Sequence, residues 1–168
     1  MKRFALFGML VLLLGSGLFG LLGAGSAGAG PPVSTDGTLI VKDGVGRIVI
    51  NAKGGVIGRF DKGQVTIKDP IPGDGTGPIV TGAEAEQSIN DTTTRYSGAN
   101  VRFRIIGGKF SITVEATNVD LSAIGNGMVK IDGKGTSDDG DYSMNGGPSQ
   151  PFPAFVFTFA LEAAATGG

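Results

Sequence analysis

Apolar side chains recur at every second position through most of this chain, in runs broken at short intervals by glycine. That pattern admits strands and tight turns, because alternate residues of a strand point to opposite faces. VRFRI and FSITV each offer one apolar and one polar side, and the 31 glycines, with Asn-Gly and Asp-Gly pairs, supply the punctuation. No stretch after the N-terminal region carries the spacing of an amphipathic helix. The alanines at 163–165 lie three residues from a Gly-Gly terminus, where chain ends fray.

Turn chemistry suggests how the strands pair. With Gly107-Gly108 as a two-residue loop, Ile105 opposes Phe110, Phe103 opposes Ile112 and Val101 opposes Val114, while Arg102 and Arg104 fall on the other face. With Asp43-Gly44 as a loop, Leu39 opposes Ile48, Val41 opposes Gly46 and Gly37 opposes Ile50. Asp61-Lys62-Gly63 reads as a three-residue loop. Pro70, Pro72 and Pro78 keep the segment 69–77 out of any central strand. The polar stretches 84–94 and 132–141 read as further excursions. The expected fold is all-β: a single antiparallel β-sandwich or flattened barrel of short strands.

An internal echo offers a different arrangement. GRIVINAKG at 46–54 matches GMVKIDGKG at 127–135, and the first glycine starts fall near nine residues apart. Fixed spacing of this kind belongs to a short β-solenoid, the alternative fold. It is not sustained past Asp69, which favours the antiparallel sheet. The last apolar run, PFPAFVFTFAL, places Phe155, Phe157 and Phe159 on one face of a closing strand, with Phe152 before it. As core residues they would each contribute roughly 1.5–3 kcal/mol. As an exposed edge the same strand would offer β-augmentation to a partner.

Lys2 and Arg3, an apolar run and Ala27-Gly28-Ala29 have the layout of a secretory signal. The expected organisation is a signal peptide over 1–29, a flexible lead over 30–36, one β domain over 37–162 and a disordered tail over 163–168. Retention of the first segment is the alternative and the only membrane contact foreseen, since Phe4 to Gly23 carries no charge. Loss of Lys2 and Arg3 leaves 12 basic against 15 acidic residues, a balance that argues against nucleic acid.

With no Cys and no His, the usual zinc sites and the Ser-His-Asp and Cys-His mechanisms are excluded. Carboxylates remain, and DGKGTSDDGD at 132–141 brings Asp132, Asp138, Asp139 and Asp141 into one loop that could supply oxygens to Ca²⁺. It lacks the EF-hand order. Asp138 and Asp139 before Gly140 equally make an Asx-capped turn. A carboxylate hydrolase would need Asp120 or Asp132 to converge with a second acid in a cleft. Arg95, Arg102, Arg104 and Lys109 form a candidate basic binding surface, or simply the wet side of their strands. Sugar stacking is poorly served, since Trp is absent and Tyr96 and Tyr142 are the only tyrosines.

The motifs V-I-G-R-F-D-x-G, Y-S-G-x-x-V-R-F-R and G-x-G-x-V-x-[IL]-D-G-x-G, spread over most of residues 44–147, resemble an uncharacterised family of small exported proteins from high-GC Gram-positive bacteria. The resemblance implies an envelope location and a β-rich domain, with no activity attached. Together these readings point to a non-catalytic exported or cell-envelope-associated β module for binding or structure, free of obligatory cofactors. Its partner would be an envelope component or another protein. A carboxylate-dependent hydrolase and a calcium-dependent adhesion module are the alternatives.

Overall fold

The computed structural model describes residues 34–75 and 77–164. The segment expected to be a signal peptide, the start of the lead and the last four residues lie outside that range. Within it the chain is all strand, turn and bend: β1 (Gly37–Lys68), β2 (Ile79–Thr81), β3 (Ala85–Asn90), β4 (Thr93–Ile105), β5 (Lys109–Gly133), β6 (Asp141–Met144), β7 (Gln150–Pro151) and β8 (Phe157–Leu161). All pairings are antiparallel, in one eight-stranded sheet with the path β2-β4-β1-β5-β8.

β1 and β5, with 32 and 25 residues, are long because the glycines expected to end strands bend them instead. Residues 46–53 of β1 are paired on both sides by β5: Ile48 lies between Val114 and Ile131, and Ile50 between Ile112 and Val129. The two β5 partners are seventeen residues apart, so the two strands wind around a common core as an antiparallel pair. Each circuit has two corners. One side of the winding, layer A, holds 46–53, 63–68, 93–98, 109–116 and 126–133, with β3 and β8 at its margins. The other, layer B, holds 37–44, 54–62, 99–105 and 117–125, with β2 and β6 beside them.

At one corner Gly54 pairs with Gly125, at φ 151° and 153°. A Cβ on Gly54 would run into the Ile124 carbonyl oxygen, and one on Gly125 into that of Lys53. Only glycine tolerates both the dihedral and the approach. Gly46, Gly63 and Gly98 mark the opposite edge in the same region of φ. Strands that change layer at such bends are a known way to close a two-layer β architecture.

The near-nine glycine spacing is therefore half a circuit of the winding, although the pairing is antiparallel. The hairpins inferred from turn chemistry do not form. β4 and β5 do not pair across Gly107-Gly108 but flank β1, so that Phe103 opposes Gly58 and Ile112 lies between Ile50 and Ile67. Asp43-Gly44 is a bulge inside β1, with Asp43 at φ 52°, and Leu39 opposes Ala123 and Met144. Gly63 is likewise a bend within β1. The local reason is shared: a glycine at positive φ serves a corner as well as a turn. Residues 69–75 and 77–78 lie outside the strands, as their prolines require, while 84–94 holds β3 and the turn that leads into β4.

Inward residues of both layers make one hydrophobic cluster, including Leu39, Val41, Ile48, Ile50, Phe60 and Val65. The alternation predicted these faces correctly even where it mispaired the strands. Tyr142, Phe152, Phe157 and Phe159 form an aromatic group at β6 and β8, with Tyr142 and Phe159 stacked at 5.9 Å. Phe155 and Phe157 depart from expectation: Phe155 precedes β8, whose pairing starts at Phe157 opposite Ile131, and is 71% exposed, while Phe157 itself is 37% exposed.

Candidate functional site

The outer face of layer B breaks the rule that a solvated sheet face is polar. Ile40, Ser122, Ile57, Arg104 and Ile79 oppose one another in turn across five adjacent segments, forming one row perpendicular to the strands. At about 4.8 Å per strand the row spans about 19 Å. A second row, two residues along each strand, contains Asp120, Arg59, Arg102 and Thr81, with Lys42 at its end. The two rows line an open groove of about 1060 Å³. Ile40, Ile57 and Ile79 are 41%, 60% and 43% exposed.

Backbone geometry sets part of the charge pattern. The bulge at Asp43 turns its N–H toward Asp120, whose Oδ1 accepts at 3.2 Å. Arg59 donates to Asp120 Oδ2 from Nε at 2.8 Å and from Nη2 at 2.5 Å. Partial burial pushes the Asp120 carboxyl up, but the Arg59 hydrogen bond, the Asp43 N–H and the charges of Arg59 and Lys42 together hold it below the usual carboxylate range. Asp120 and Arg59 thus neutralise each other. The side chains of Arg102 and Arg104 make no hydrogen bond or ion pair among the described residues. They sit two apart on one strand, project to the same side, and leave the groove net positive.

Of the four basic residues singled out by sequence, Arg102 and Arg104 come together here. Arg95 lies on the outer face of layer A, half-buried, with Nε donating to Thr66 Oγ1 at 3.4 Å. Lys109 opens β5 opposite Lys53. Arg59, Lys42 and the three isoleucines were not anticipated, yet the sequence carried a signal for them. Leu39-Ile40-Val41, Val56-Ile57 and Ile79-Val80 are consecutive apolar residues, so one of each set must face outward from a layer that buries the other.

The four aspartates of the candidate calcium loop are placed differently from one another. Asp139 is 2% exposed, and its Oδ2 accepts from the N–H groups of Lys134, Gly135 and Thr136 at 2.6, 2.6 and 3.0 Å. Its Oδ1 accepts from Thr136 Oγ1 at 2.5 Å. These donors, Thr136 Oγ1 foremost, hold its carboxyl below the usual range against the opposing effect of burial. Asp139 is thus the Asx cap of its own loop. Asp138 and Asp141 are exposed, and Asp132 sits in β5 opposite Arg47. Among the described residues no three acids are grouped as an ion site. Tyr142 is buried, which raises its phenol, and its hydroxyl donates to Gln150 Oε1 at 3.0 Å.

No family model, no curated protein and no solved structure matches this chain.

Proposed function

We propose that this chain is a non-catalytic, exported or cell-envelope-associated β module that binds a negatively charged ligand in the groove of layer B. The observation carrying the reading is the row of open isoleucines beside two arginines without acidic partners. A fold needs neither, because exposed apolar rows cost solubility and unpaired like charges repel. Export is supported by the basic, apolar and small-residue layout of residues 2–29. The family resemblance points to the same compartment.

The binding test is a fluorescence titration with 8-anilinonaphthalene-1-sulfonate, a probe that joins one anion to an apolar ring system. Saturable binding to the natural chain, weakened at least about tenfold by Arg102→Gln with Arg104→Gln, is expected. Equal binding by both proteins places the site elsewhere. The mass of the exported chain tests cleavage after Ala29.

One observation favours a second reading, a carboxylate hydrolase: Asp43 and Asp120 both line the groove. Acid-base hydrolysis needs one carboxyl kept protonated near neutral pH. Asp120 is shifted the opposite way and is held by Arg59, so binding is the stronger reading.

A further inference from the structure

We infer that the ligand of this groove is a single-chain anionic amphiphile, with its acyl or alkyl chain along Ile40 and Ile57 and its phosphate or carboxylate head between Arg102 and Arg104. The inference rests on the binding reading above and narrows it to a ligand class. Volume is the first argument. About 1060 Å³ lies at the upper end of small-ligand sites, far more than a free phosphate fills.

The distribution of chemistry is the second. Ile40 and Ile57 run along one row up to Arg104, and Arg102 stands beside Arg104 in the adjacent row, so a ligand must be apolar along its length and anionic where it meets that pair. Arg102 and Arg104 leave the backbone about 6.8 Å apart along one strand, a spacing that two long side chains can span to reach one oxyanion. Arg59 is already engaged by Asp120, which leaves the head that single pair as its strongest seat.

Competing occupants fit less well. A glycan would want aromatic platforms, and neither tyrosine lines the groove. A peptide brings its own amide groups, for which the lining offers only Ser122 and Thr81 as neutral hydrogen-bonding side chains. A planar bilayer meets the rims of a groove rather than its floor. A monomeric lipid-like molecule buries its chain against the isoleucines and keeps its head at the arginines.

Isothermal titration with dodecyl phosphate below its micellar concentration, butyl phosphate, inorganic phosphate and dodecanol tests this on the purified protein. Dodecyl phosphate is expected to bind at least about tenfold tighter than butyl phosphate. Arg102→Gln with Arg104→Gln should weaken dodecyl phosphate by a similar factor and leave dodecanol unchanged. Ile57→Gln should erase the advantage of the long chain while the protein still binds butyl phosphate. Equal affinity for butyl and dodecyl phosphate overturns the amphiphile inference but leaves anion binding intact. No binding of any anionic probe, with the domain folded by circular dichroism, overturns both. Capture by phosphatidylglycerol vesicles without binding of monomeric dodecyl phosphate also overturns it, in favour of a membrane surface.

Discussion

The outer faces of the two layers are built from the same long strands, yet they differ in kind. Layer A turns Arg47, Asn51, Gln64, Thr66, Thr113 and Glu115 to solvent, with Val49 and Met128 as smaller apolar interruptions, and Arg47 and Glu115 are paired. Arg47 lies 3.4 Å from Glu115, and Gln64 donates to the same carboxylate at 2.6 Å. Layer B turns out isoleucines and leaves Arg102 and Arg104 unpaired among the described residues. Since β1, β4 and β5 each run through both layers, neither strand propensity nor core packing explains the contrast. Layer A shows what this architecture requires of a wet face. On the proposed binding reading, the excess on layer B serves the ligand.

The contrast depends on strands that change layer at the corners, so a corner is the place to break it most severely. Gly54→Ala puts a Cβ into the Ile124 carbonyl at positive φ and should cost on the order of 3 kcal/mol by urea denaturation. Gly107→Ala, whose added Cβ meets nothing within 4 Å, should stay within about 0.5 kcal/mol. Equal losses would mean that Gly54 is an ordinary strand position.

Acid titration probes the loop that joins β5 to β6. A carboxyl whose folded pKa lies below its unfolded value, about 3.9, contributes stability above that value and loses it as pH falls through the folded pKa. Asp139 is such a group. Thermal melts of the natural chain should therefore decline below about pH 4 more steeply than those of Asp139→Asn, which should already be less stable at neutral pH. Parallel curves would remove the cap from the account.

The smallest effect should come from layer A. Arg47→Gln removes an ion pair whose side chains are 57% and 44% exposed, and should cost no more than about 1 kcal/mol, less in high salt. It should leave the binding of 8-anilinonaphthalene-1-sulfonate unchanged. An Arg47 variant that bound as poorly as the layer B double variant would erase the distinction between the faces.

Which side each residue takes was legible from alternation: Val101, Phe103, Ile105, Phe110, Ile112 and Val114 are all buried, and Arg102 and Arg104 are exposed. Which strand each one meets was not. Turn rules favour the nearest partner in sequence, whereas Phe60 meets Val101 and Gly46 meets Gly133. Only the close approach of glycine to glycine distinguishes a corner from a hairpin, and sequence does not show approach. The site was half visible for the same reason. Arg102 and Arg104 declare themselves within one strand, but the groove is assembled from residues between Ile40 and Ser122. The Asp139 cap was foreshadowed by the Ser-Asp-Asp-Gly order, which favours an Asx turn.

The seventeen-residue offset between the two partners of each central β1 residue also sets a quantum of length. Inserting one residue within a corner-to-corner run, unless a bulge like that at Asp43-Gly44 absorbs it, would turn the side chains that follow inside out, and adding one half-circuit to β1 alone would strand it without a mate. The winding can grow or shrink only by matched blocks in both long strands, so relatives of different size are expected to differ by whole turns or in the connections at the two ends.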